Sequence, residues 1–358
     1  MEQQVAILGV GVVTPTVAGV ASMASVCGAG SGLVKETTDI APPEGMTPRD
    51  QRRLARLTRL ALQAADQAAA AAGVRGRNAG IYVGLTHGTA TFLKEFHDYL
   101  FDYGPEMASP NAFSNGVTNA PLGAISLHQH LTEGGATLVG LEDCGLEVLQ
   151  HGVTKIADGT HEVCYCGATE EYSPIVEDVY RRIGWYCGEA PEALPRPLQE
   201  GEHTGIGVSE GSAFAILAAV DSPLVSQTGS AVCTFRPVEA DRVADVDADL
   251  VISGAGGGPH DVHELELLRT ALTGRHKRLP VLFPKRFFGE TFAVGPMLSL
   301  VAAWDILTND ASYPLAPVHQ DLSALAADTI APSEVASALI LSANREGAVS
   351  AGLLALCQ

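Results

Sequence analysis

The feature that most constrains this chain is a strand that turns almost directly into a helix. Ala136-Thr-Leu-Val139 reads as a strand, and Leu146, Leu149, Val153 and Ile156 then recur at intervals of three, four and three, the spacing of one helix face. Only the tight turn Gly140-Leu-Glu-Asp-Cys-Gly145 separates the two. A second elbow of the same kind follows: Asp249-Leu-Val-Ile252 is a strand, 253–259 a glycine-rich turn, and Val262 to Leu272 a helix. Strands alternating with helices define an α/β fold. The repeated elbow predicts a duplicated one, with an N-terminal half over 1–221 and a C-terminal half over 222–358.

The remaining elements fit between these anchors. Val5-Ala-Ile-Leu8 is a strand ending in a glycine turn at Gly9-Val-Gly11. Thr47 and Pro48 are the N-cap and first position of a helix whose apolar stripe is Leu54, Leu57, Ala61, Ala64 and Ala65, stopped by Gly73. Gly80 to Val83 and Glu162 to Cys166 are strands, Thr89 to Phe101 is a helix, 207–220 is a glycine-led strand, and Ala336 to Ser342 is the final strand. Residues 185–206, rich in Pro, Glu and Gly, form a surface excursion.

Composition narrows the function classes. Of 358 residues 46 % are hydrophobic and only 18 % charged, which suits a large core and argues against disorder. The net charge of −19 disfavours nucleic acid and basic membrane-surface roles. No secretion signal precedes the first strand. The apolar stretch 292–307 is interrupted by Gly295, Pro296 and Asp305, so no membrane span is expected. Seven cysteines, an odd number with no CxxC pair, fit a reduced cytoplasmic protein.

Several motifs offer chemistry. The run GVGVVT (9–14) lacks the third glycine of a dinucleotide loop. GAGGGP (254–259) sits between strand and helix, but Pro259 and His260 stand where such a loop presents backbone N–H groups. No cofactor is expected. His128 with His130, and His260 with His263, lack a cysteine or carboxylate cluster to complete a metal site, and no metal is expected. Cys144, at the start of the elbow helix, is either a nucleophile whose thiol pKa the helix terminus lowers or a buried structural cysteine.

Taken together, the motifs resemble those of the β-ketoacyl synthase family, over nearly the whole chain. VAILGVGVVTP at the start is similar to that family's first strand and turn. SPNAFSNGVTNAPLGAISL (109–127) resembles its dimer-interface segment. GVSEGSAFAILAA (207–219) resembles its GEGAG-type strand, SGAGGGPHDVHE (253–264) its HGTGTPxxDxxE motif, and KRFFGE (285–290) its KxxxGH motif. The resemblance implies a thiolase-like fold, a duplicated five-layer αβαβα sandwich.

The same resemblance implies that the catalytic residues are replaced. Ungapped alignment from Gly123 puts the nucleophilic cysteine position on Glu142, with Gly145, His151 and Gly159 in step. The two histidine positions fall on Ser253 and Glu290, and Lys285 is retained. The C-terminal GFGG-type loop is replaced by Asn344-Arg-Glu-Gly347. A carboxylate is a weak nucleophile and its acyl adduct a hydrolysable anhydride. Losing one stabilising group typically costs about 10²–10³ in rate, so loss of all three leaves little reason to expect condensation. Glu142 and Glu290 would repel each other if both ionised, and Lys285 is expected to pair with one of them.

A ketosynthase-like chain without the cysteine resembles the chain length factor of a type II polyketide synthase. That implies a heterodimer with a cysteine-bearing ketosynthase. THGTATFLKEF (86–96) resembles the stretch closing the tunnel, with Thr89, Phe92 and Phe96 at the matched gate positions on one helix face. Acyl carrier protein, itself acidic, is expected to dock mainly on the partner, because like charges repel within the Debye length of about 8 Å at physiological salt. Two rivals stand beside this: a homodimeric enzyme, decarboxylase or acyltransferase, using Glu142 or Cys144, and a scaffold subunit that never touches the growing chain.

Overall fold

A computed structural model describes residues 3–29, 33–38, 40–187, 198, 205–228, 231–315, 318 and 322–357. The first half contains β1 (Val5–Val13), α1 (Met23–Ala29), α2 (Pro48–Gln51), α3 (Arg56–Ala72), β2 (Gly80–Leu85), α4 (Ala90–Tyr103), α5 (Pro110–Gly116) and α6 (Ala120–Gln129). It continues with β3 (Gly135–Val139), α7 (Cys144–Ala157), β4 (Val163–Glu170), α8 (Pro174–Arg182) and β5 (Gly211–Ala219). The second contains α9 (Pro223–Gln227), β6 (Cys233–Val238), β7 (Leu250–Ser253), α10 (Asp261–Leu272), β8 (Leu279–Leu282), α11 (Lys285–Phe288), α12 (Gly295–Asn309), β9 (Ala326–Ala327), β10 (Ser337–Ala343) and β11 (Val349–Leu356).

The strands run in the order β3-β2-β4-β5-β1-β6-β11-β10-β7-β8-β9. β1–β5 and β4–β5 are antiparallel, while β2 pairs parallel with β4 and β3. Outward from β6 the same order and senses recur: β6–β11 and β10–β11 antiparallel, β7 parallel with β10 and β8. The two sets of strands join where Val5–Ile7 pairs with Cys233–Phe235.

Strand alternation divides the interior into three cores. Leu250 and Ile252 of β7, and Ala338 and Ile340 of β10, face a central core with α7 and α12. Val251, Leu339 and Leu341 point the other way, onto α10. In β1, Val5 and Ile7 face the central core, while Ala6 and Leu8 face α3. The layers are therefore α3/α6, sheet, α7/α12, sheet, α10. The apolar segment Phe292–Asn309 is one continuous helical run, 83 % buried inside the molecule. Pro296 lies in the first turn of α12, where it needs no N–H partner, so it does not interrupt the helix.

Three sequence expectations need correction. Gly9 and Gly11 are not a turn: β1 continues to Val13, and the glycines admit α3. A Cβ on Gly9 would lie 2.6 Å from Ala72 N, and one on Gly11 would lie 2.1 Å from Ala64 O. The helix expected from Thr47 is two. Thr47 caps only α2, and α3 restarts at Arg56 because its free N-terminal N–H groups find distant acceptors: Ala55 N donates to Asn115 Oδ1 (3.0 Å) and Leu57 N to Glu171 Oε2 (3.1 Å). The strand after Ser337 is not the last, since β11 follows it through a tight turn at 344–348. Most of the 185–206 excursion lies outside the described residues; of those described, Leu198, Gly205 and Ile206 are buried and Trp185 to Cys187 half-buried.

The β1–α3 approach sets a test. Gly11→Ala must push α3 off β1, and overpacking of this kind costs about 1–3 kcal/mol. The urea midpoint should fall accordingly.

Candidate functional site

The first elbow is held tightly against the second half. Gly140 N donates to Leu85 O at 3.0 Å, ending β3, and α7 begins at Cys144. A Cβ on Gly145 would stand 2.5 Å from Ala293 O, so only glycine lets α7 start against the segment entering α12. Glu142, at the tip of the turn, is 1 % exposed.

Glu142 does not cap the helix. Its Oε1 lies 2.6 Å from Arg345 Nη2, and its Oε2 accepts from Arg345 N at 3.1 Å. Burial pushes the carboxyl's pKa up, but Arg345, with His260 and Lys285 beyond it, more than offsets this and holds it below the usual value. Arg345 sits in the β10–β11 turn, which is fastened to the elbow. Asn344 Nδ2 donates to Asp143 Oδ1 (3.0 Å) and Ser350 Oγ to Asp143 Oδ2 (3.1 Å). The guanidinium also stands over the ring of Tyr180, 5.6 Å from its centroid.

The second elbow spends its backbone donors internally. Ser253 Oγ and Gly254 N both donate to Glu264 Oε1 (2.9 and 2.7 Å). Gly256 N and Gly257 N donate to the two oxygens of Asp261 (3.0 and 2.9 Å). The N–H groups a dinucleotide phosphate would require are already bonded to carboxylates.

Lys285 is paired as the charge argument requires. Its Nζ lies 2.8 Å from Glu290 Oε2, and Glu290 Oε1 accepts from Phe292 N at 2.8 Å. Both side chains are almost fully buried. Burial works against the ammonium, but Glu290 outweighs it and the lysine pKa is raised. Each glutamate thus has its own cation, and the expected repulsion between them is neutralised twice over.

Two imidazoles enter from positions that sequence reasoning did not assign to the site. His260, 4 % exposed, lies with Nε2 3.8 Å from Glu290 Oε2, and neither ring nitrogen has a hydrogen-bond partner. Burial first, then Lys285, lowers its pKa. His87 packs edge-on to Phe292 at 4.3 Å and approaches the Tyr180 hydroxyl at 3.4 Å. Burial and Arg345 bring its pKa to about 4. At neutral pH the His87 ring is uncharged. Phe292 adopts φ 50, a left-handed conformation uncommon outside glycine.

Cys144 is not an activated thiol. It is fully buried, its Sγ faces Leu138 O at 3.7 Å, and burial together with Glu147 pushes its pKa up to about 12. A helix terminus activates a thiol only when the thiolate reaches the free N–H groups, and this one points into the core. Thr89 is the N-cap of α4, with Phe92 and Phe96 in its first two turns. Thr89 is buried and donates to Gly116 O at 2.9 Å, whereas Phe92 and Phe96 are half-buried, with Phe96 6.0 Å from Phe113. Among the described residues no group of three or more His, Cys, Asp or Glu is arranged to hold a metal ion.

Residues 32–221, more than half of the chain, match the family model of the beta-ketoacyl synthase N-terminal domain. The chain belongs to the β-ketoacyl synthase family. Its fold is similar to one chain of AntDE:AntF (apo), a type II PKS acyl-carrier protein in complex with its ketosynthase bound to the hexaketide (TM-score 0.82, 16 % identity). It is likewise similar to a β-ketoacyl synthase from Burkholderia phymatum STM815 (0.79, 16 %) and to the ishigamide ketosynthase/chain length factor (0.81, 15 %). Each match covers 100 % of both chains. At such identities the likeness is one of fold. No curated protein matches the chain in sequence.

Two measurements test the site's electrostatics. Lys285→Met strands the Glu290 carboxylate, and breaking a buried pair costs about 3–5 kcal/mol. A denaturant melt should show that loss, with most of it recovered in Lys285→Met/Glu290→Gln. Glu170 holds the turn before α4 by accepting from the N–H groups of Thr86 and His87. Burial still outweighs those donors and raises its pKa from 4.5 to about 8. The folded state therefore binds this proton more tightly than the unfolded one. Its contribution is complete below the unfolded value and lost as the pH rises through about 8. Glu170→Gln should lose less stability than wild type between pH 5 and 8, read by melts across that range.

Proposed function

We propose that the chain is a non-catalytic chain length factor that pairs with a cysteine-bearing ketosynthase and shapes the tunnel in which a polyketide grows. The observation that carries this reading is Glu142. The position matched to the family nucleophile holds a carboxylate already committed to Arg345, 2.6 Å away. An ion-paired carboxylate carries no thioester, and the one thiol nearby is buried and protonated. The reading places the carbon–carbon bond formation on the partner's cysteine.

Surface chemistry supports a partner. The faces of α4 and α5, with neighbouring residues on α6 and the edge strand β3, expose Phe101, Tyr103, Met107, Phe113, Leu127 and Val139 at 58–84 %. Lone proteins seldom leave so many large apolar side chains in water, and obligate interfaces are built from them. The fold neighbours described as a ketosynthase/chain length factor and as a ketosynthase with its acyl-carrier protein make such assemblies the natural model. Thr89, Phe92 and Phe96 lie on this side and are proposed as the gate. The halves are proposed to divide at 221/222, the carrier protein to dock mainly on the partner, and the complex to work in the cytoplasm.

Native mass spectrometry of the chain co-expressed with the ketosynthase encoded beside it should give a 1:1 heterodimer. A stable homodimer indifferent to any ketosynthase would instead favour an independent enzyme using Glu142. Within the heterodimer, Phe92→Ala/Phe96→Ala should lengthen the products, scored by mass. Unchanged length would reduce the chain to a scaffold.

A further inference from the structure

Arg345 does more than neutralise Glu142. The β10–β11 turn that carries it is locked to the elbow by Asn344 and Ser350 on Asp143, and by its own backbone N–H on Glu142. Within the turn, Asn344 Oδ1 accepts from Glu346 N (2.9 Å) and Ala348 N (3.0 Å). Gly347 takes the φ of 87 that closes it. The guanidinium is thus delivered by a rigid hairpin, not by a wandering surface side chain. It lies against the carboxylate on one side and Tyr180 on the other, with its Nε and Nη2 cut off from solvent. The Arg345 side chain is 23 % exposed and that of Glu142 only 1 %, so the guanidinium is the member of the pair that reaches toward solvent.

We propose that Arg345 is a built-in plug: a side chain from the C-terminal half that closes the elbow of the N-terminal half to acyl thioesters, whatever residue stands at 142. This goes beyond the subunit reading. It concerns the isolated chain, so failure to find a heterodimer would leave it standing.

The test restores the thiol with and without the plug. Full-length Glu142→Cys and Glu142→Cys/Arg345→Ala are treated with pantetheinyl chloroacetamide, and alkylation at residue 142 is followed by peptide mass spectrometry. Charge and occlusion act in opposite directions. A neighbouring guanidinium lowers a thiol's pKa and speeds alkylation, whereas a plug slows it. The proposal expects the double variant to react at least about tenfold faster, the ratio that 1.4 kcal/mol of exclusion produces. Equal rates, or a faster single variant, overturn it. A second readout avoids the unpaired cation of the single variant. A non-hydrolysable acyl-pantetheine amide should raise the Tm of Glu142→Gln/Arg345→Ala and leave that of wild type unmoved. Equal shifts, or a shift in neither, count against the plug.

Discussion

The contact on which the site depends is the pressing of α7 against the segment that leads into α12, with a backbone carbonyl where a side chain would otherwise be. Gly145 faces Ala293 O so closely that no Cβ fits. That contact brings the tip of the first elbow, the turn 253–260 and the Lys285–Phe292 segment to one point between the sheets. Most of the polar groups collected there are removed from water, with His87 and Arg345 only partly exposed. Their arrangement follows from electrostatics: two carboxylates, each with its own cation, and two imidazoles beside them, with both carboxylates at 1 % exposure. Burial at this level leaves ionised groups only where a counter-charge lies within contact distance.

Much of this was legible in the sequence, and what was not has identifiable causes. Both elbows, the helix after each and the approximate bounds of β2, β4, β7 and β10 follow from apolar spacing and glycine placement. The pairing of Lys285 with a glutamate follows from charge alone. The break between α2 and α3 was hidden because its caps, Glu171 and Asn115, lie far along the chain. Gly9 and Gly11 looked like a turn because a close helix approach and a reversal both demand glycine, and local sequence cannot separate them. Tyr180 and Arg345 reach the site through folding, with no spacing to announce them, while His87 and His260 lay inside recognised segments without a role assigned there. Only the loss of the C-terminal loop motif at 344–347 marked Arg345 as unusual.

The likeness to ketosynthase structures at 15–16 % identity shows where this architecture keeps its constraints. Strand order, the central helix pair and the glycine contacts are demands of packing. The polar residues at the centre answer a separate demand, that whatever charge is buried be matched. In this chain Ser253 and the 254–257 turn meet that second demand through Glu264 and Asp261, in a closed hydrogen-bonded frame.

The Glu142–Arg345 pair has an evolutionary consequence. Replacing Arg345 alone strands the buried Glu142 carboxylate, at a cost of about 3–5 kcal/mol, against a total stability for a typical domain of only about 5–15 kcal/mol. Losing the guanidinium first is therefore costlier than losing the carboxylate first, and changing both together avoids either unpaired charge. The pair works as a ratchet: once both charges are in place, substitutions on the outer face are cheap, while the centre is held to its present chemistry by stability.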